Sequence, residues 1–222
     1  MSSINLKDRF IVSFEGIDGS GKTTIAKRIE FELIKKNFKV FYTEEPTDSP
    51  LGKAIRDTIL LNKTIKLSPF AQALLFTADR NYHVNNIIKN ALEDKSIVIL
   101  DRFIDSTLAY QGENEELVRL INKINEMAVG TFIPDITFLL DIEPALALER
   151  IEKTDKEKDN FEKLNFLANV RERYKLIASK NKERIKIIDA SLDKETLVKL
   201  IINDILIKSS ESEISMIKRK EY

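Results

Sequence analysis

The chain reads as an α/β fold, a doubly wound parallel sheet of five strands flanked by helices. Two observations predict it. Five short apolar runs recur along the 222 residues, and segments with helical spacing separate them. The first four runs are nearly continuous in Val, Ile, Phe and Leu rather than alternating, as in strands buried on both faces. Alternating strand and helix gives parallel strands joined by right-handed crossovers.

The first strand is predicted over Arg9–Glu15 (RFIVSFE), followed by a glycine-rich turn and a helix over Thr23–Lys36. The second, third and fourth strands are Lys39–Glu45 (KVFYTEE), Ser96–Asp101 (SIVILD) and Asp135–Asp141 (DITFLLD); a weaker fifth is Arg184–Asp189 (RIKIID). Helical spacing covers Ser68–Glu93, Glu115–Val129, Pro144–Glu152, Asn160–Lys180 and Lys194–Ile207. The first four strands end in carboxylates, so Glu15, Glu44, Glu45, Asp101 and Asp141 should gather at the edge where such sheets bind ligands. A carboxylate there can also cap the next helix, and Asp141, just before Ile-Glu-Pro, suits that role. The wholly polar stretch Lys153–Asp159 (KTDKEKD) is either a solvated loop or a short lid. With no repeat and no Pro/Gly-rich linker, residues 1–207 are expected to form one domain with a lid at about 153–160. Residues 208–222 are expected to be a polar tail that frays or adds a short helix.

Composition narrows the function. Hydrophobic residues make up 43% and charged residues 32%, a globular balance. Lys plus Arg equal Asp plus Glu at 36 each, so no bulk field favours nucleic acid or an anionic membrane. An anionic ligand must be held by local arrangements. The absence of Cys removes disulfides, thiolate metal sites and a cysteine nucleophile. No apolar run approaches the ~18 residues of a membrane span, and the start lacks a signal-peptide core, so a cytoplasmic protein is expected.

The strongest chemical signal is Gly16-Ile-Asp-Gly-Ser-Gly21-Lys22-Thr23, a full match to G-x-x-x-x-G-K-[ST] between a predicted strand and a predicted helix. Backbone N–H groups of Gly16, Ile17, Asp18, Gly19, Ser20 and Gly21 can turn inward around phosphate oxygens, and the helix N-terminus adds its positive end. Lys22 should reach the β/γ-phosphates, and Thr23, followed by Thr24, should ligate Mg²⁺. A P-loop that binds ATP or GTP follows. Asp101-Arg102 is the second signal. Asp101 closes a strand where a carboxylate can hold Mg²⁺ through water, and Arg102 can clamp a phosphate at the same edge. No guanine-reading N-K-x-D stands at a suitable place, and a motor ATPase would be larger.

The run Asp101-Arg-Phe-Ile-Asp-Ser106-Thr107-Leu-Ala-Tyr110-Gln111 resembles the D-R-[YFH]-x-x-S-x-x-A-Y-Q segment of thymidylate kinases. Phe14–Thr24 resembles that family's P-loop, Leu75–Arg80 its L-F-x-A-x-R helix, Pro134–Ile142 its P-D-L-T-x-x-L segment and Ala147–Arg150 its A-x-x-R helix end. The resemblance spans residues ~9 to ~207 and implies a P-loop NTPase of the kinase type, transferring the ATP γ-phosphate to dTMP with Mg²⁺, as a homodimer. It further implies that Phe76 stacks on thymine, Arg80 donates to a thymine carbonyl and Tyr110 crowds the sugar 2′ position. Gln111 and Thr107 would lie near the base edge with Ser106 beside them, and Asp18 near the 3′-hydroxyl. Arg56 and Arg102 would hold the acceptor phosphate, and Arg150 would pack on adenine. Taken without the family, Phe76 is equally a core residue, Arg80 with Asp79 an exposed ion pair and Tyr110 a half-buried tyrosine. His83, the only histidine, reads as a surface residue.

Two positions depart from the family pattern. Where it has T-R-E-P-G-G, this chain has Thr43-Glu44-Glu45-Pro46-Thr47-Asp48, with Glu44 in place of a phosphate-binding arginine. Where it has D-R-[FI]-E, this chain has Asp159-Asn160-Phe161-Glu162. The resemblance also implies a basic side chain beyond the P-loop lysine, supplied in that family by the P-loop or by the lid. The variable positions Ile17, Asp18, Gly19 and Ser20 hold none here, so it is expected from the lid, with Lys156 and Lys158 beside Lys153 as candidates. Two alternatives stand beside a dTMP kinase: a P-loop kinase for another small acceptor, such as a deoxynucleoside or dUMP, and a nucleotide-gated binding protein without turnover.

Overall fold

A computed structural model of the chain describes residues 10–61, 65–94, 96–152 and 160–220. Its sheet has five parallel strands in the order β2-β3-β1-β4-β5: β1 Phe10–Glu15, β2 Val40–Glu44, β3 Ile97–Asp101, β4 Ile136–Asp141 and β5 Ile185–Asp189. All five predicted strands are present. Glu45 falls just past β2, and Arg9 lies outside the described residues. β1 is central and buried along its whole length. Its two neighbours, β3 and β4, follow later in the chain, so the connections diverge there and open a crevice at its carboxyl end.

Helices cover both faces, as a doubly wound sheet requires. Val12 and Phe14 point to one core with Ile25 and Ile29 of α1 (Lys22–Lys35), while Ile11 points to the other with Val84 and Ile88. Phe14 and Phe138 bring their rings to 5.6 Å across β1 and β4. Truncating either to Ala would cost about 3–5 kcal/mol through lost burial and a cavity.

The chain then adds α2 (Pro50–Ile55), α3 (Pro69–His83), α4 (Lys89–Glu93), α5 (Ile104–Gln111), α6 (Glu115–Val129), α7 (Pro144–Glu152), α8 (Asn160–Lys180) and α9 (Lys194–Lys220). Two of these, α2 and α5, are missing from the sequence reading. α2 starts at a Ser49 cap that accepts from Leu51 and Gly52 N–H, with Pro at its first position, and ends in a π-helical turn over Arg56–Leu60. The predicted helix Ser68–Glu93 is α3 and α4 joined through a π-helical turn at Val84–Ile88. α9 runs past the predicted Ile207 to Lys220, because Lys208–Lys220 contains no Gly or Pro to stop it. The predicted lid residues 153–159, including Lys153, Lys156 and Lys158, lie outside the described residues.

Asp141, which the sequence suits to cap α7, is engaged by another helix. It accepts a two-pronged bond from Arg171 of α8, at 2.6 and 2.9 Å, and Arg171 also reaches Glu143 at 2.5 Å. A planar guanidinium matches a carboxylate better than one backbone N–H does, so the carboxylate pins α8 to the end of β4.

Candidate active site

The loop from Gly16 to Gly21 bends tightly over the end of β1. Gly16 and Gly19 have φ of +144° and +79°, and a Cβ there would fall 2.6 Å from Leu140 O and 2.3 Å from Ala147 O. Only glycine fits at either place. Gly21 caps α1 without a side-chain acceptor, which leaves first-turn N–H groups of α1 for an anion. Lys22 folds back into the loop, donating to Ile17 O at 2.9 Å and approaching Ser20 Oγ at 3.4 Å. Burial first, and then the Arg102 charge, push its ammonium down to about 7, against the pull of Asp18, Asp101 and Glu15.

Thr23 donates its hydroxyl to the Asp101 carboxylate. Tyr42 Oη lies 3.3 Å from the same carboxylate and 2.8 Å from Glu44. A hydroxyl and a carboxylate side by side at the loop's mouth are hard oxygen donors of the kind Mg²⁺ takes, so the residues fit that ion. The cavity over them, about 680 Å³, extends from the loop to Arg150, Ala190 and Leu197. Arg150 is held along its wall by a 3.2 Å bond to Ala190 O.

A second cavity of about 470 Å³ opens on the other side of Arg102, and Phe76, Thr107, Tyr110 and Gln111 line it. Asp18, Glu45 and Arg102 border both cavities. Arg102 adopts φ +70°, and its guanidinium lies 5.3 Å from the Tyr110 ring centre. It pairs with Asp18, approaches Gly16 O at 3.3 Å and donates to Ser106 Oγ at 3.2 Å. Tyr110 Oη accepts the Asp18 N–H at 3.2 Å. Gln111 donates to Gln72 at 3.2 Å.

Arg80, Arg56, Ser106 and His83 sit in environments that the sequence did not foretell. Arg80 is 1% exposed and not an exposed partner of Asp79. It donates to Glu45 at 2.7 and 3.0 Å, to Asn125 at 2.7 Å and to Phe103 O at 3.0 Å, so four of its five N–H groups are already engaged. Asp79 instead holds Thr47 and Ser49. Arg56 lines neither of these two cavities; it braces the preceding loop through Pro46 O at 2.7 Å, Thr47 O at 2.8 Å and Asp48 at 3.0 Å. Ser106 borders the second cavity, yet its hydroxyl is directed to Glu15 at 2.5 Å. His83 is wholly buried, between Thr43 at 2.8 Å and Glu45 at 3.1 Å, and not on the surface.

Phe166 and Gln72 also line the second cavity, and neither was singled out from the sequence. Phe166 meets Tyr110 edge-on at 6.0 Å. A signal for it existed: Leu167, Val170, Tyr174 and Ala178 form the buried stripe of α8, and Phe166 is a large aromatic off that stripe. Gln72 carried no such signal.

The family model described as Thymidylate kinase matches residues 14–201. A curated thymidylate kinase of Mycoplasma capricolum is 38% identical over 206 residues, covering 91% of this chain and 97% of the relative. A probable thymidylate kinase of Methanosarcina acetivorans is 39% identical, covering 88% and 95%. The crystal structure of thymidylate kinase from Ehrlichia chaffeensis superposes with a TM-score of 0.68 at 34% identity, covering 89% of this chain and 98% of that one.

Proposed function

This chain belongs to the thymidylate kinase family, and we propose on that premise how its two cavities divide the reaction. The protein is an ATP-dependent phosphotransferase that converts dTMP to dTDP. ATP occupies the cavity over the glycine-rich loop, and dTMP the cavity lined by Phe76 and Tyr110. The carrying observation is that Asp18, Glu45 and Arg102 border both, so a γ-phosphate and an acceptor phosphate can meet at one place.

An oxygen of the dTMP phosphate attacks the γ-phosphorus, the bond to the β-phosphate oxygen breaks, and ADP leaves. No general base is required, because the acceptor phosphate is already ionised at neutral pH. Lys22 neutralises charge at the β/γ-phosphates, and Arg102 steadies the acceptor phosphate. Thr23 and Asp101 would hold Mg²⁺, which neutralises charge on the donor phosphates. Phe76 supplies a face for the base, Thr107 and Gln111 polar groups at its edge, and Arg80 its one remaining N–H. Arg150 packs on adenine, and Tyr110 closes on the sugar. Arg56 acts on the acceptor through the Pro46–Asp48 loop that it braces. The lid over 153–160 contributes Lys156 and Lys158, the protein works in the cytoplasm, and two copies associate.

The test is a phosphoryl-transfer assay with ATP against a panel of nucleoside monophosphates and deoxynucleosides. dTMP should give the highest kcat/KM. A faster unphosphorylated nucleoside, or no turnover with dTMP, overturns the reading.

A further inference from the structure

Glu15 is a costly residue in its position. It is fully buried at the end of β1, where an ionised carboxyl loses several kcal/mol of hydration unless donors replace the water. Three donors converge on it: Phe103 N–H at 2.8 Å, Ser106 Oγ at 2.5 Å and Tyr174 Oη at 3.0 Å. The first two belong to the segment that carries Arg102. Arg102 N–H donates to Phe14 O at 3.0 Å, and the next amide, Phe103 N–H, donates to Glu15. Two consecutive amides are thereby fastened to the last two residues of β1. Between them the chain turns through φ +70° at Arg102, a conformation that a long side chain adopts only when its surroundings impose it.

The same carboxyl reaches the guanidinium through one hydroxyl. Ser106 Oγ donates to Glu15 and accepts from Arg102 NH1 at 3.2 Å. Tyr174 Oη of α8 comes to 2.8 Å from Ser106 Oγ because both hydroxyls donate to the same Glu15 oxygen. The neighbouring Asp105 is clamped by Arg184 at 2.7 and 2.8 Å, which fixes the start of α5 from the residue just before β5.

We propose that Glu15 is a positioning residue for phosphoryl transfer, holding the Arg102 backbone turn and the Ser106 hydroxyl so that the guanidinium stays at the junction of the two cavities. This rests on the reading of Arg102 as the acceptor-phosphate cation. Glu15 itself lines neither of the two cavities. Its effect is therefore transmitted through Arg102, and that separates it from a residue that only stabilises the fold.

A double-mutant cycle reads this directly. Glu15→Ala should lower kcat/KM for dTMP at least ~10-fold in the wild-type background and less than ~2-fold in Arg102→Ala, with ATP affinity by calorimetry within ~3-fold throughout. Glu15→Gln should stay within ~3-fold of wild type, because its amide can accept from Phe103 and donate to the two hydroxyls. Equal losses from Glu15→Ala in both backgrounds overturn the proposal. If Glu15→Ala does not fold, Ser106→Ala takes its place in the cycle, and additivity there overturns it equally. An Arg102→Ala enzyme with wild-type dTMP kinetics defeats the acceptor-clamp reading, and the proposal with it.

Discussion

Lys22 and Glu15 are both buried ionisable groups, and their shifts run in opposite senses on the charge scale. Lys22→Ala removes an ammonium that the folded state already disfavours, so it should cost at least ~100-fold in turnover with no fall in Tm. An unchanged kcat in that variant contradicts the donor-site assignment. Burial first, and the Asp105 charge second, raise Glu15 from 4.5 to about 7, against its Ser106, Arg102 and Phe103 contacts. The folded state therefore binds more protons than the unfolded state between about pH 4.5 and 7. Stability that is complete below pH 4.5 is lost as pH rises through 7. Glu15→Gln should match wild type near pH 4.5 and be more stable at pH 8.5, by on the order of 2–3 kcal/mol. Urea melts at the two pH values check it, and a gap that does not widen with pH contradicts it. Tyr110→Ala should raise the kcat/KM of ribonucleotide acceptors relative to deoxyribonucleotides, since its ring borders the second cavity. At this scale the sequence was informative wherever spacing alone carries the chemistry, as in Gly16–Thr23. It could not announce the burial of His83 or the Arg80–Glu45 pair, because partners 35 and 38 positions away leave no local pattern.

Between residues and the whole chain, the strands and the long helices were legible and the two short helices α2 and α5 were not. β1, β3 and β4 read clearly because burial on both faces leaves an unbroken apolar run, whereas β2 and β5 are half-exposed edge strands and β5 reads more weakly. α2 and α5 are 6 and 8 residues long, too short for a helical period to emerge, and α5 buries Asp105, Ser106 and Thr107, so its pattern reads as polar. These two helices nevertheless carry Arg56 at the end of one and Ser106–Gln111 along the other. The polar stretch 153–159 joins α7 to α8, and α8 is anchored by Arg171 on Asp141 and Glu143 and by Tyr174 on Glu15. α8 so anchored also brings Phe166 to the second cavity. The P-loop's variable positions Ile17, Asp18, Gly19 and Ser20 are not basic, so the further cation that the family resemblance implies is expected from outside it. Replacing Lys153, Lys156 and Lys158 together by Ala should lower kcat at least ~10-fold, roughly 1.4 kcal/mol of barrier, with little change in KM for dTMP. Single replacements should be milder, because lysine acts as a point charge that a neighbour can replace. Wild-type kcat in the triple variant would move the role to another cation, with Arg150 next.

For the whole molecule, the open question of shape is what covers its apolar exterior. α6 is amphipathic, burying Ile121, Asn125 and Ala128 against the body of the protein. On its other side Leu120 and Met127 stand seven residues apart, 40% and 77% exposed, and so share one face of the helix. α3 packs against α6 and leaves Leu74 and Tyr82 exposed at 45% and 38%. Scattered exposed apolar residues are ordinary, but a methionine three-quarters exposed in step with a leucine on a regular helix points to a partner surface. A second copy meeting this face through a two-fold axis would bring α6 against α6, the self-complementary contact that the commonest closed oligomers use. The homodimer expected from the family resemblance would then form away from both cavities, whose linings include none of these four residues. Light scattering should therefore give the mass of two chains for the wild type, and of one chain for a Leu120→Glu, Met127→Glu variant. Because each carboxylate in the pair would face its symmetry mate across a desolvated contact, the two changes should act together more strongly than either alone. A wild type that runs as one chain at micromolar concentration, or a double variant that still runs as two, excludes this face as the interface.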